Sequence, residues 1–371
     1  MTRRDFLKGA VGAALTAPIL QGCRWQQGET RPTEEETGMA AQTVLPRWRG
    51  FNVHNMFHTG GYEPFREEDF LWISDWGFDF ARINVCYTLV VHDRDPHKPN
   101  EQALEEVDRG IELARKHKLH ACLDMHVAPG YAYHESEYQE PYNLWKDEEA
   151  QEAFCFLWQM YAKRYRGIPP SDLSFNLINE PATEIGKMTR EEHERVIRRS
   201  TAAIREISPD RLIIADGLEW GDEPLPELTD LGIAQSGRFY TPFHLTHYRA
   251  EWEGAEAQTW PEPVWPGLVE GGKTWNRETL KEHYRPWAEL AKQGVGVVCG
   301  EGGAYKKTPH PVVLGWLRDV MEVLKAYNIG YSVWNFRGPF GILDSGRADV
   351  LYENFHGHKL DRKMLALLQQ S

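Results

Sequence analysis

The feature that most constrains this chain is an alternation. From Pro46 onward, short runs rich in β-formers trade places with amphipathic helical stretches, and the β-rich runs number eight. They are GFNVHN (50–55), FDFARINV (78–85), HACLDMH (120–126), LSFNLINE (173–180), LIIADGLEW (212–220), RFYTPF (238–243), VGVVCGE (295–301) and GYSVWNF (330–336). In the helical stretch NEQALEEVDRGIELARKHKL, Leu104, Val107, Ile111 and Ala114 recur at three- and four-residue spacing and mark one apolar stripe. Strands alternating with such helices belong to a parallel sheet covered by helices. Eight units, closed by the last helical stretch KLDRKMLALLQ, predict an α/β fold: a single-domain (β/α)8 TIM barrel over residues 46–371. An open doubly wound sheet would call for a glycine-rich phosphate turn after the first strand, and none is there.

The residues before the barrel read differently. TRRDFLK followed by GAVGAALTAPIL is a twin-arginine head on an apolar run too short for a permanent membrane span. It leads into LQGC, so residues 1–23 are expected to be an export signal with Cys23 as a lipidated residue, or else a signal released to leave a soluble periplasmic protein. Residues 24–45 are polar, acidic and aperiodic, as a flexible tether would be. The expected location is the cell envelope, with membrane contact only through the Cys23 anchor. The remaining cysteines, Cys86, Cys122, Cys155 and Cys299, show no CxxC or Cys/His spacing and read as small core residues, which argues against zinc. A formal net charge of −13 with no basic stripe excludes a nucleic-acid partner and suits an uncharged or cationic ligand. A monomer is expected.

In barrels of this kind, reactive groups sit at the C-terminal ends of strands. Those ends carry Arg82, His126, Asn179 with Glu180, Glu219 or Trp220, Tyr240, Glu301 and Trp334. Glu180 closes the fourth run and Glu301 the seventh, which sets two carboxylates across one mouth. Glycoside hydrolysis needs such a pair: one protonates the leaving oxygen, and the other attacks or activates water. The segments FDFARINV, LDMHVAPG, FNLINEPA, VCGEGGAY and YSVWNFRGPFGILD, in that order, resemble glycoside hydrolase family 5, the cellulase family of retaining barrel glycosidases.

That resemblance implies a retaining β-glycosidase for a β-linked glucan or related polysaccharide, with Glu180 as general acid/base and Glu301 as nucleophile. It needs no metal or organic cofactor. Arg82 would favour the ionised form of Glu301. Burial and the like charge of Glu301 would keep a proton on Glu180 until the glycosyl ester forms. Asn179 would donate to the sugar 2-hydroxyl, Tyr240 to the nucleophile and His126 to a sugar hydroxyl, while Trp334 would floor the sugar-binding cleft. His54, Asn55 and His58 are further candidates for polar sugar contacts. Arg82, His126 and Trp334 also admit a plain core reading.

One position departs from the family pattern. The family usually shows His-x-Tyr at the end of strand six; with Tyr240 as the tyrosine, Arg238 stands where the histidine would be. A guanidinium there is expected to change hydroxyl recognition, with His244 or His247 available to compensate. The same departure motivates a non-catalytic carbohydrate-binding alternative. A metal-dependent barrel hydrolase using His54, His126 and His247 is a further alternative. Mannan, xyloglucan and glycolipids are other substrates found within the family. The Trp- and Pro-rich insertion over 245–274 is long enough to decide whether the cleft is open or closed.

Overall fold

A computed structural model describes residues 43–58, 60–133 and 141–371. The expected signal, Cys23 and most of the expected tether lie outside those residues. Eight parallel strands close into a barrel: β1 (Arg49–Met56), β2 (Phe80–Cys86), β3 (His120–Val127), β4 (Leu173–Asn176), β5 (Leu212–Asp216), β6 (Ala234–Phe239), β7 (Val297–Gly302) and β8 (Gly330–Val333). The ring closes where β8 returns to β1, with Arg49 opposite Tyr331 and Phe51 opposite Val333.

Helices α1 (Glu67–Asp75), α2 (Glu101–Lys116), α3 (Glu148–Arg164), α4 (Arg190–Arg205), α5 (Arg277–Lys292), α6 (His310–Ala326) and α7 (Arg362–Gln370) follow seven of the strands. Their starts are chemically marked. Thr189 and Glu192 form a reciprocal capping box on α4, and Asn276 and Asp361 accept from the first-turn amides of α5 and α7. On α2 the predicted stripe of Leu104, Val107, Ile111 and Ala114 is buried. The fifth unit differs, because between β5 and β6 the chain makes a turn at Leu218–Gly221 and a 3₁₀ helix at Pro226–Leu231. Pro224 and Pro226 explain this, since each lacks the amide a longer helix would need.

Several strands also have bounds other than their residue types suggest: β4 stops at Asn176 and β8 at Val333, each short of its predicted run. β5 stops at Asp216, before Glu219 and Trp220. β6 begins at Ala234, upstream of the aromatic run 238–243, so that Tyr240 lies just past its end. The segment AQSGRF lacks the usual β-formers because its side chains are used for bonding: the Gln235 amide exchanges two hydrogen bonds with the backbone of Leu225.

The barrel interior changes character along its axis. Its N-terminal floor is apolar, built from Leu45, Trp48, Phe80, Cys122, Ile214, Ala234 and Val298, and the Trp48 ring stacks on His120 at 3.9 Å. Leu45 in that floor and the Thr43 amide bonded to Gly294 O show the chain already packed on the barrel before residue 46. Toward the C-terminal end the lining turns polar, with Asn52, Arg82, Asn84, Asp124, Asn176, Asp216, Ser236, Arg238 and Ser332 all essentially inaccessible to solvent. Buried polar groups are costly unless paired. That layer is therefore the place to look for chemistry. Cys86, Cys122, Cys155 and Cys299 are buried and form no disulfide among the described residues, and burial pushes the thiols of Cys122 and Cys299 up to about 12.

Candidate active site

Two arginines organise the polar layer. A guanidinium has five N–H donors and no acceptor. In Arg82 all five are engaged: Nε to Asn176 Oδ1 (2.9 Å), Nη1 to Asn52 Oδ1 (3.0 Å) and Glu301 Oε2 (2.9 Å), and Nη2 to Asp124 Oδ1 (2.8 Å) and Asn179 Oδ1 (2.9 Å). Arg238 is engaged in the same way. Its Nε bonds Glu180 Oε1 (3.1 Å), its Nη1 bonds Ser236 Oγ and Gly237 O, and its Nη2 bonds Asn179 Oδ1 (2.8 Å) and Asp216 Oδ2. Neither side chain has a donor left for a sugar, which corrects their assignment as substrate contacts. The charge on Arg238 is buried, yet Asp216, Glu301 and Glu180 together hold its pKa well above the ordinary value.

Glu301 sits inside β7, with 5% of its surface exposed. One carboxylate oxygen takes the Arg82 bond and the other the Tyr240 hydroxyl at 2.8 Å. Burial first, then the charges of Glu301 and Glu180, push the Tyr240 phenol far above its usual range, so it remains a donor.

Glu180 is placed by a different device. It lies beyond the end of β4 with φ 48°, a left-handed conformation that costs a non-glycine residue about 1–3 kcal/mol. Its backbone is held from both sides. The amide donates to Asp216 Oδ2 (3.0 Å), and the carbonyl accepts from the Tyr131 hydroxyl (2.8 Å), which in turn accepts from Ala182 N. The Glu180 side chain is 10% exposed.

Asn179 joins the two halves. Its carbonyl oxygen accepts from both Arg82 and Arg238, which fixes the amide so that Nδ2 faces His126 Nε2 at 3.4 Å. His126 is held from behind by Asp124, whose Oδ2 lies 2.8 Å from Nδ1. Burial alone would raise Asp124, but Arg82, His126 and Asn84 outweigh it and hold the carboxyl below its usual range. A carboxylate can only accept, so Nδ1 carries the hydrogen, and Nε2 is the ring nitrogen turned to the Asn179 amide.

Trp334 is half-buried at the mouth, stacked against His126 (5.5 Å between centroids) and edge-on to Phe57 (5.3 Å). His54 lies beside it within 3.4 Å of Asn335 Nδ2, and burial, with help from His58 and His126, lowers it to about 4. Asn55 is turned to the backbone of its own loop through Pro64 O, and His58 is exposed next to Phe57. His247 packs on Phe243 and Tyr240, while His244 stacks on Trp260 near Glu270. Among the described residues no group of three or more His, Cys, Asp or Glu converges as a metal site. Glu219 bonds Thr183 in the loop after Glu180.

Asp124 and Asp216, with Asn52 and Asn176 bonded to Arg82, went unrecognised in the sequence. The signal was present, because LDMH and LIIAD each place an aspartate inside an apolar strand. A buried carboxylate requires a counter-charge.

A helix-wrapped parallel barrel with one carboxylate at the exit of its fourth strand and another at its seventh is the framework of the barrel glycoside hydrolases. Comparison with known proteins narrows the class. The model of the cellulase family, glycosyl hydrolase family 5, matches residues 35–338, and the chain belongs to that family. It is 27% identical over 311 residues to endoglucanase C of Acetivibrio thermocellus, spanning 77% of this chain and 88% of that one. It is 28% identical over 280 residues to cellodextrinase A of Ruminococcus flavefaciens, spanning 71% of this chain and 76% of that one. A solved structure described as a glycoside hydrolase is 40% identical, with a TM-score of 0.83 over 87% of this chain and 99% of that one.

Proposed function

We propose that the protein hydrolyses a β-linked glucan with retention, Glu301 acting as nucleophile and Glu180 as acid/base. The observation that carries this reading is the division of labour around Glu301. Arg82 supplies a charged donor to one oxygen and Tyr240 a neutral donor to the other, which fixes the direction in which the carboxylate is aimed. In the first half-reaction a Glu301 oxygen bonds to the anomeric carbon as the glycosidic C–O bond breaks, and Glu180 gives its proton to the departing oxygen. In the second, water attacks that carbon, Glu180 takes the water proton, and the ester bond to Glu301 breaks. Asn179 Nδ2 is oriented to donate to the 2-hydroxyl, where the bond strengthens as the oxocarbenium ion develops.

A neutral glucan is favoured by the overall negative charge, by the engagement of both site guanidiniums within the protein, and by the names of the endoglucanase and cellodextrinase relatives. The decisive experiment is a screen of aryl β-glycosides and polysaccharides, with the anomer first released identified by proton NMR. Release of the β-anomer from a β-glucan supports the proposal. Release of the α-anomer, or no hydrolysis of any β-glycan, overturns it.

We also infer that the mature protein is tethered to the cell envelope through Cys23, on the strength of the twin-arginine head and the LQGC sequence. Incorporation of labelled fatty acid, lost in Cys23→Ala, tests that inference; equal labelling of the two proteins refutes it.

A further inference from the structure

Arg238 stands where the family pattern has a histidine, and its surroundings are built to hold it. Gly221, at φ 84°, passes so close that a Cβ there would meet Arg238 Cγ at 2.6 Å. Arg238 Nε donates to Glu180 Oε1, and its Nη2 is shared between Asp216 and Asn179. Asp216 also receives the Glu180 backbone amide, so one aspartate holds both the arginine and the peptide of the residue it serves.

We propose that Arg238 is a positioning residue for Glu180: it holds Oε1 and, with Asp216, sets the pH range over which the transferable proton of that carboxyl is held. The proposal rests on the acid/base reading of Glu180. The carboxyl is surrounded by charges of both signs. β6 supplies Arg238 and Tyr240, the end of β5 supplies Asp216, β7 supplies Glu301, and β2 supplies Arg82. β3 and its following loop bring His126, paired with Asp124, and Tyr131, while Glu219 approaches through Thr183.

Arg238 Nε bonds the carboxylate directly, at 3.1 Å. A cation at that distance favours the charged form. It makes Glu180 the stronger acid when its carboxyl O–H bond breaks toward the leaving oxygen, and the weaker base when the proton of water returns. Asp216 opposes this by drawing on the same guanidinium. Removing the arginine and removing the aspartate should therefore move Glu180 in opposite directions.

The test is to titrate the Glu180 carboxyl by carbon-13 NMR in protein labelled at glutamate Cδ, with the signal assigned by its loss in Glu180→Gln. In Arg238→Gln the titration is expected to rise by about 1–3 pH units, the range for losing an adjacent opposite charge. In Asp216→Asn it should fall, and Arg238→Lys, which keeps the charge without the fork, should shift it by less than Arg238→Gln does. The alkaline limb of kcat/KM with 4-nitrophenyl β-cellobioside should move in the same directions. If Arg238→Gln does not fold, as judged by circular dichroism, the lysine and Asp216→Asn variants give the result.

Glu180→Ala separates the two ways of failing. If it loses activity on the nitrophenyl glycoside and keeps the first step on the 2,4-dinitrophenyl glycoside, while the carboxyl titration stays put in the Arg238 and Asp216 variants, the role given to Arg238 is overturned alone. If Glu180→Ala shows no dependence on the leaving group, or the glycoside is not cleaved at all, the acid/base reading fails and this proposal falls with it.

Discussion

Each carboxylate at the mouth has an arginine on one oxygen, but the two differ in what else holds them. Glu301 belongs to a regular strand, and its side chain is bound, one partner to each oxygen. Glu180 stands on irregular backbone past its strand, and its peptide is fixed as well as its side chain: Asp216 and Tyr131 hold the backbone, while Arg238 bonds one carboxylate oxygen. The difference suits the tasks proposed for them. A nucleophile must present an ionised oxygen in one direction, and two donors on the carboxylate achieve that. An acid/base must exchange a proton twice per turnover, so its position is better secured through atoms that do not titrate.

Substitutions that touch one support at a time sharpen this contrast. The largest effect is expected from Glu301→Gln, which should lower kcat by about 10⁴-fold or more; steady-state assays on the best substrate check it, and near-normal turnover would end the nucleophile assignment. Glu180→Ala should cost about 10²–10⁴-fold on substrates with poor leaving groups, with azide restoring turnover and yielding a β-glycosyl azide detectable by mass spectrometry. Tyr240→Phe removes one neutral donor from an ionised acceptor, worth about 1.5–3 kcal/mol. It should reduce kcat/KM by about 10–100-fold, and the acidic limb should move upward because ionised Glu301 loses support.

A fourth expectation concerns the frame beneath the mouth. Burial lowers His120 to about 4 and His193 to about 3, and both ring nitrogens of His193 lack a protein partner. The unfolded chain binds these protons near pH 6.5 and the folded chain does not, so their contribution is complete above pH 6.5 and declines as the pH falls toward 4. Each should cost about 2 kcal/mol of stability at pH 5. Urea unfolding at pH 7 and pH 5 measures this, and a midpoint unchanged between them would count against it. The smallest effect is that of Tyr131→Phe, which leaves two backbone groups beside Glu180 without their partner and should cost about 1–3 kcal/mol of stability. Thermal melts report the loss, and kcat should fall more than KM changes.

Much of this molecule was legible in its residues because the barrel rests on repetition. Eight strand signals each needed only to be right in kind, and the two catalytic candidates were marked by the NEP and GE strand ends. The β6 start was missed because Gln235, Ser236 and Gly237 are in the sheet for what they bond and how closely they pack, not for β-propensity. Gly237, for instance, lies against the Trp287 ring. Asp124 and Asp216 were missed because attention stayed on strand ends, whereas a count of buried charges would have demanded anions for Arg82 and Arg238. The role of Arg238 was misread for a geometric reason: residue type says that a fork is present, but only the fold shows all five donors turned inward.

That inward turn has a consequence for altering the enzyme. Since the guanidiniums spend every donor on the protein, the machinery around the carboxylates is insulated from the sugars further along the cleft. Trp334 meets that circuit through ring packing on His126, and the 245–274 insertion through Thr246 and His247 against Tyr240, with no bond to either guanidinium among the described residues. Swapping rim residues should therefore retune which polymer is gripped while leaving bond cleavage intact, so that new specificities can be grafted onto this barrel without rebuilding its chemistry.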